Sequence, residues 1–191
     1  MNNSSITGNS TSQTLGNGGG IYIANGVLNI SDYSYISGNS APAGQADGAG
    51  IFGNQAILNI SNSTISGNSM SGSNSEGAGI HSRDSQLTLT DSLISFNSTT
   101  GTQSEGAGLY IHGGSATIDN TVFSQNSTAG STAVGAAIAN VGGDVVITRS
   151  TLAGNSTQGT GASGGAIHNL GGDVSIIDSL LSDNSVSGAQ A

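Results

Sequence analysis

Aliphatic positions along this chain fall on a fixed grid. Ile21, Ile51, Ile80, Leu109, Ile138 and Ile167 recur every 29 residues, after one opening interval of 30. Each is followed by two apolar positions in strict alternation, such as Leu58 and Ile60, and then by a single one, such as Ile65. Short period-2 stretches broken by Gly, Asn and Ser predict three short strands per unit. No apolar set at helical spacing runs long enough to compete, and Gly and Ser dilute every window. A polar grid runs in phase: Asn9, Asn39, Asn68, Asn97, Asn126, Asn155 and Asn184 each open an Asn-Ser pair.

A period this strict means one unit stacked on copies of itself. In register, Leu28, Leu58, Leu87, Ala116, Val145 and Val174 form one column. Ile30, Ile60, Leu89, Ile118, Ile147 and Ile176 form a second, and Ile6, Ile36, Ile65, Ile94, Phe123, Leu152 and Leu181 a third. The expected fold is all-β: a right-handed parallel β-helix (β-solenoid) of about six coils around an apolar interior. The extra residue of the first coil falls between Ile30 and Ile36, within Asp32-Tyr33-Ser34-Tyr35, and predicts a bulge or widened corner. Residues 1–191 read as a single domain with neither end capped. Such a chain is either a piece of a longer solenoid or a subunit that stacks end to end.

The Asn column is expected to be structural, each amide bonding to its counterpart one coil away at a corner of unusual backbone angles. Asn97-Ser98-Thr99 and Asn126-Ser127-Thr128 match a glycosylation acceptor. Inward-facing amides would be inaccessible to that modification. The glycine runs before each aliphatic suit crowded backbone or positive φ.

Composition narrows the function. The net charge is -9, from 11 acids set against Arg83 and Arg149 alone, which argues against nucleic-acid binding. There is no Cys for a disulfide framework or a thiolate metal site. No segment approaches the apolar length of a membrane span, and no export signal is visible.

The two beats resemble the repeats of chlamydial polymorphic outer-membrane proteins, with their Gly-Gly-Ala-aliphatic and Phe-x-x-Asn motifs. Gly164-Gly165-Ala166-Ile167 matches the first literally and Phe123-Ser124-Gln125-Asn126 the second. Gly48-Ala49-Gly50-Ile51, Gly135-Ala136-Ala137-Ile138 and Ile65-Ser66-Gly67-Asn68 are looser copies. The resemblance covers essentially the whole chain and implies a secreted or surface-displayed bacterial β-helix, often an adhesin. The translocator barrel of those proteins has no counterpart here.

Candidate chemistry belongs on outward rows. Tyr22, Phe52, His81, Tyr110, Ala139 and His168 follow the aliphatics directly, and alternation points them away from the core. The five rings, Tyr22, Phe52, His81, Tyr110 and His168, are the candidate binding ladder for glycans or a host surface. Cross-strand stabilisation of the sheet is the competing explanation. Beside them stack Asp47, Glu76 and Glu105, which repel unless a cation or proton intervenes. Ca²⁺ could use such oxygens, but flexible loops that splay the carboxylates into water are the preferred expectation. His81, His112 and His168 form no metal triad by spacing, so no metal or other cofactor is expected.

Enzyme chemistry finds weak support. The best candidate row is Asp32, Asn62, Asp91, Asn120, Arg149 and Asp178. Its acids Asp32 and Asp91 lie two coils, about 10 Å, apart. Asx residues after a strand are common turn formers, and Arg149 is expected to pair with Asp178. Thr99, Thr128 and Thr157 stack as an ice-binding rank would, but Ala41 and Met70 break the column. The sequence therefore points to a non-catalytic extracellular or cell-surface structural and adhesive module. Alternatives are a self-assembling filament subunit and a polysaccharide-active β-helix enzyme.

Overall fold

The computed structural model describes residues 1–189, and it is a parallel β-solenoid of about six coils. Among the described residues there is no helix, hence none long and apolar enough to cross a membrane. Every strand pairs in parallel with its equivalent one coil on, so the predicted columns are the observed registers. Ile51 meets Ile80 and Ile80 meets Leu109 in the first sheet. Leu58 meets Leu87 in the second, and Ile65 meets Ile94 in the third. These rows close on one another as a continuous apolar core, with Ile51, Leu58, Ile60, Ile65 and Phe123 fully enclosed.

A fourth sheet goes beyond the expected three. It is built from two- and three-residue strands directly after each Asn, from Ser40–Ala41 to Ser185–Ser187. Alternation over so few residues leaves no period to detect. Its inward row is Ala41, Met70, Thr99 and Thr128, all buried. Ala41 and Met70 join Ala46, Ala49 and Ala78 in a small second core. The Thr column therefore faces inward and offers no flat exposed rank.

The Asn ladder is the polar counterpart of the core. Asn68 Oδ1 accepts from both the backbone N–H and the Nδ2 of Asn39, each at 3.0 Å. Asn68 Nδ2 in turn donates to Ile36 O at 3.0 Å and to Asn97 Oδ1 at 2.9 Å. The same set recurs at Asn97, Asn126 and Asn155, all fully buried, so their amides are closed to glycosylation. The unusual backbone angle belongs to the residue before each Asn. Gly38 and Gly67 sit at φ 62°, and Phe96 and Gln125 adopt similar values without being glycine. The widened first corner is also present: Asp32 and Tyr33 both take positive φ, where later coils use one such residue.

Candidate functional site

The aromatic row is stacked as predicted but it is not an open surface. Tyr22, Phe52, His81 and Tyr110 follow one another along the axis at ring-centroid separations of 5.5, 4.7 and 4.8 Å. Tyr22 is exposed, yet Phe52, His81 and Tyr110 are 1%, 0% and 4% exposed. His168 is half-buried. Alternation does turn these side chains off the main core; what it cannot reveal is the chain folding back over them. At Gly48, φ is 62° and a Cβ would lie 2.4 Å from Ile51 O and 2.8 Å from Phe52 Cα. The connection thus lies flat against the start of the strand and roofs the row.

The roof is itself a ladder. Asp47, Glu76, Glu105, Val134 and Ser163 form parallel bridges from coil to coil. The expectation that these acids splay into water is therefore corrected: Asp47 is buried, and backbone pairing holds the column against the sheet. Each roof residue sits five positions before the ring-row residue of its own coil. Val134 packs with Ala139 and Tyr110 in a separate apolar cluster. Ser163 Oγ lies 3.2 Å from His168 Nδ1. Glu76 Oε2 stands 3.9 Å from His81 Nε2.

Charge concentrates where Asp47, Glu76, His81 and Arg83 meet. Arg83 donates to Asp47 Oδ2 at 3.0 Å, with its guanidinium carbon 5.2 Å from the Phe52 ring centroid. Asp47 Oδ1 is 3.7 Å from His81 Nδ1, beyond hydrogen-bond length. Neither ring nitrogen of His81 has a hydrogen-bond partner. Burial, reinforced by Asp47 and Glu105, pushes the Glu76 carboxyl up to about 7. Burial also raises Glu105 and the Tyr110 phenol, and it holds His81 below the usual imidazole value. A groove of about 370 Å³, lined by Asn17, Gln45, Asp47, Asn74, Glu76 and Arg83, opens onto the acids.

A second groove, of about 320 Å³, lies where the second sheet turns into the third. It is lined by Tyr33, Tyr35, Asn62, Asp91 and Asn120, among others. The Asx row that borders it is a row of left-handed turns: Asp32, Asn62, Asp91, Asn120, Arg149 and Asp178 all have φ between 44° and 53°. Asn120 Nδ2 donates to Asp91 Oδ1 at 2.6 Å. Arg149 pairs with Asp119, one coil before, and not with Asp178. The reason is geometric: Asp119 ends the neighbouring strand, within reach of a long side chain leaving the turn.

Sequence spacing missed Tyr33 and Tyr35 as surface groups and Arg83 as a partner of Asp47. The one signal for the roofed site was the matching of roof and ring residues within a coil, Val134 with Ala139 and Ser163 with His168. Compared with family models, with curated proteins and with solved structures, the chain matches none.

Proposed function

We propose that this protein is a non-catalytic structural and adhesive solenoid module of the bacterial surface or extracellular space, contacting glycans through the Tyr33–Tyr35 groove. The observation that carries this reading is the pair of exposed tyrosines, Tyr33 and Tyr35, bordering amide and carboxylate groups in one open groove. Ring faces stack on sugar faces while Asn62, Asp91 and Asn120 can hydrogen-bond hydroxyls. Parallel pairing of Tyr35 with Thr64 and of Thr64 with Leu93 fixes the spacing of these groups. Likeness to the chlamydial surface-protein repeats supports the extracellular setting.

Catalysis has less support in either groove. Asp91 is the one carboxylate lining the tyrosine groove, and glycoside hydrolysis requires two across a scissile bond. In the acidic groove Asp47 is 7% exposed and committed to Arg83, which leaves Glu76 alone with open surface. The test is a glycan array with wild-type protein and the Tyr33→Ala/Tyr35→Ala double variant. Binding by the wild type and its loss in the variant, with unchanged circular dichroism, is the expected result. Equal binding by the two proteins removes the groove from the proposal, and release of reducing or unsaturated ends from polyuronides would replace it with an enzyme.

A filament is the second reading. At the last coil the core columns lie open, with Ile176 45% and Leu181 41% exposed. Another coil, from the same chain or from a second copy, would cover them. Negative-stain microscopy across a concentration series distinguishes head-to-tail rods from single particles.

A further inference from the structure

We propose that Asp47, Glu76 and His81 form a binding site for a divalent transition-metal ion of the zinc class, held by one imidazole nitrogen and an oxygen from each carboxylate. One donor atom from each residue lies within 4.8 Å of the other two. A shared ion would sit about 2.0–2.2 Å from each donor, which small side-chain rotations of the three toward one another would provide. Three acids in a column would not by themselves make a site.

His81 supplies the independent sign. Its side chain has no exposed surface, and both ring nitrogens lack a partner. Buried polar groups in folded proteins are nearly always satisfied, so an imidazole left empty on both edges calls for a ligand. Asp47 Oδ1 stands 3.7 Å from Nδ1 and Glu76 Oε2 3.9 Å from Nε2, both too long for hydrogen bonds, so each carboxylate keeps an oxygen free beside the ring. Burial keeps the ring neutral, the form that donates a lone pair to a metal. One nitrogen takes the ion while the other keeps its proton and points it at a neighbouring acceptor, as metal-bound imidazoles commonly do.

Charge and access agree with this. Asp47, Glu76 and Glu105 face one fixed cation, Arg83, so the cluster carries an excess of negative charge when its acids ionise. A divalent ion cancels the excess and relieves the repulsion that raises Glu76. The groove lined by Asp47 and Glu76 opens the two carboxylates to solvent and leaves room for water as further ligands. An imidazole donor favours transition ions over Ca²⁺ and Mg²⁺, which take oxygen ligands.

Isothermal titration of the chelator-treated full chain with ZnCl₂ tests the site, with CaCl₂ as the control and circular dichroism to verify folding. The expected result is one zinc ion per chain and a rise in Tm, with Ca²⁺ producing neither. His81→Gln and Glu76→Gln should each weaken zinc at least tenfold. Glu76 is part-exposed, so its variant remains informative if His81→Gln fails to fold. No zinc binding by the wild type, equal binding of Ca²⁺, or undiminished affinity in Glu76→Gln would each overturn the site. Glycan binding through the tyrosine groove is read separately and does not depend on the outcome.

Discussion

At the scale of single residues, the fold is specified by which polar atoms find partners. Thr128 Oγ1 is buried beside the fourth sheet without a partner, whereas Thr157 Oγ1, one coil on in the same column, donates to Gly164 O at 3.1 Å. An unmade hydrogen bond in a dry site costs the desolvation of the hydroxyl, and a made one returns it. Thr128→Val should therefore stabilise the protein by about 1 kcal/mol, and Thr157→Val should destabilise it by about the same. Urea unfolding of the two variants is the measurement, and equal signs would refute the account. Asn97 is a sharper case. Its truncation to Ala would strand the Asn68 N–H and one Nδ2 hydrogen of Asn68, and would take the amide donor from Ile65 O and one of the two donors from Asn126 Oδ1. A loss of about 3 kcal/mol or more is expected, since each orphaned group costs about 1–3 kcal/mol. Phe96 illustrates the opposite situation: it holds φ 55° at a corner where Gly38 and Gly67 stand in other coils. Phe96→Gly should raise Tm slightly, because a bulky residue in the left-handed region is strained by about 1–2 kcal/mol and Gly is not.

At the scale of the element, the roof over the first sheet couples stability to pH. Glu76 has a folded value of about 7 against 4.5 for the free side chain. Between those values the folded protein binds the extra proton, so stability falls as pH rises through this window, and the contribution of the Glu76 proton is gone above about 7. In chelator-treated protein, Glu76→Gln should then be more stable than wild type at pH 8, by an amount on the order of 3 kcal/mol. The difference should vanish below pH 4.5, the free side-chain value, where the carboxyl is neutral in both states. Thermal melts across that range test the sign. The same roof marks the boundary of what the sequence disclosed. Columns such as Leu58–Leu87 and Asn68–Asn97 were legible because period and alternation report side-chain direction relative to the sheet. Burial of Phe52, His81 and Tyr110 was not legible, because it depends on the path of a Gly- and Ser-rich connection whose residues recur from coil to coil but have no alternation to report a direction. The direction inferred for that row was correct, and the exposure inferred from it was not.

At the scale of the whole molecule, contacts run from each coil to its neighbours and nowhere else of comparable weight. Strand pairing joins each sheet's members in sequence order without a skip, as in the series running from Ile21–Ala24 to Ile167–Leu170. Stability in such an array is close to a sum of coil terms and interface terms, so terminal coils, with one interface each, open first. Amide hydrogen exchange should accordingly be slowest around Asn68, Asn97 and Asn126 and fastest near Asn9 and Asn184. The four-bond Asn sites at the centre supply the contrast, because Asn9 is exposed and Asn184 only part-buried. Raising the protein concentration separates the two surface readings. If the open Ile176–Leu181 face stacks on another copy, protection near Asn184 should climb with concentration while the central coils stay constant. A profile that is graded and independent of concentration identifies a monomeric rod whose ends fray, and it removes the filament. A flat profile at low concentration would defeat the nearest-neighbour account itself, because independent coil interfaces cannot protect an end as well as a middle.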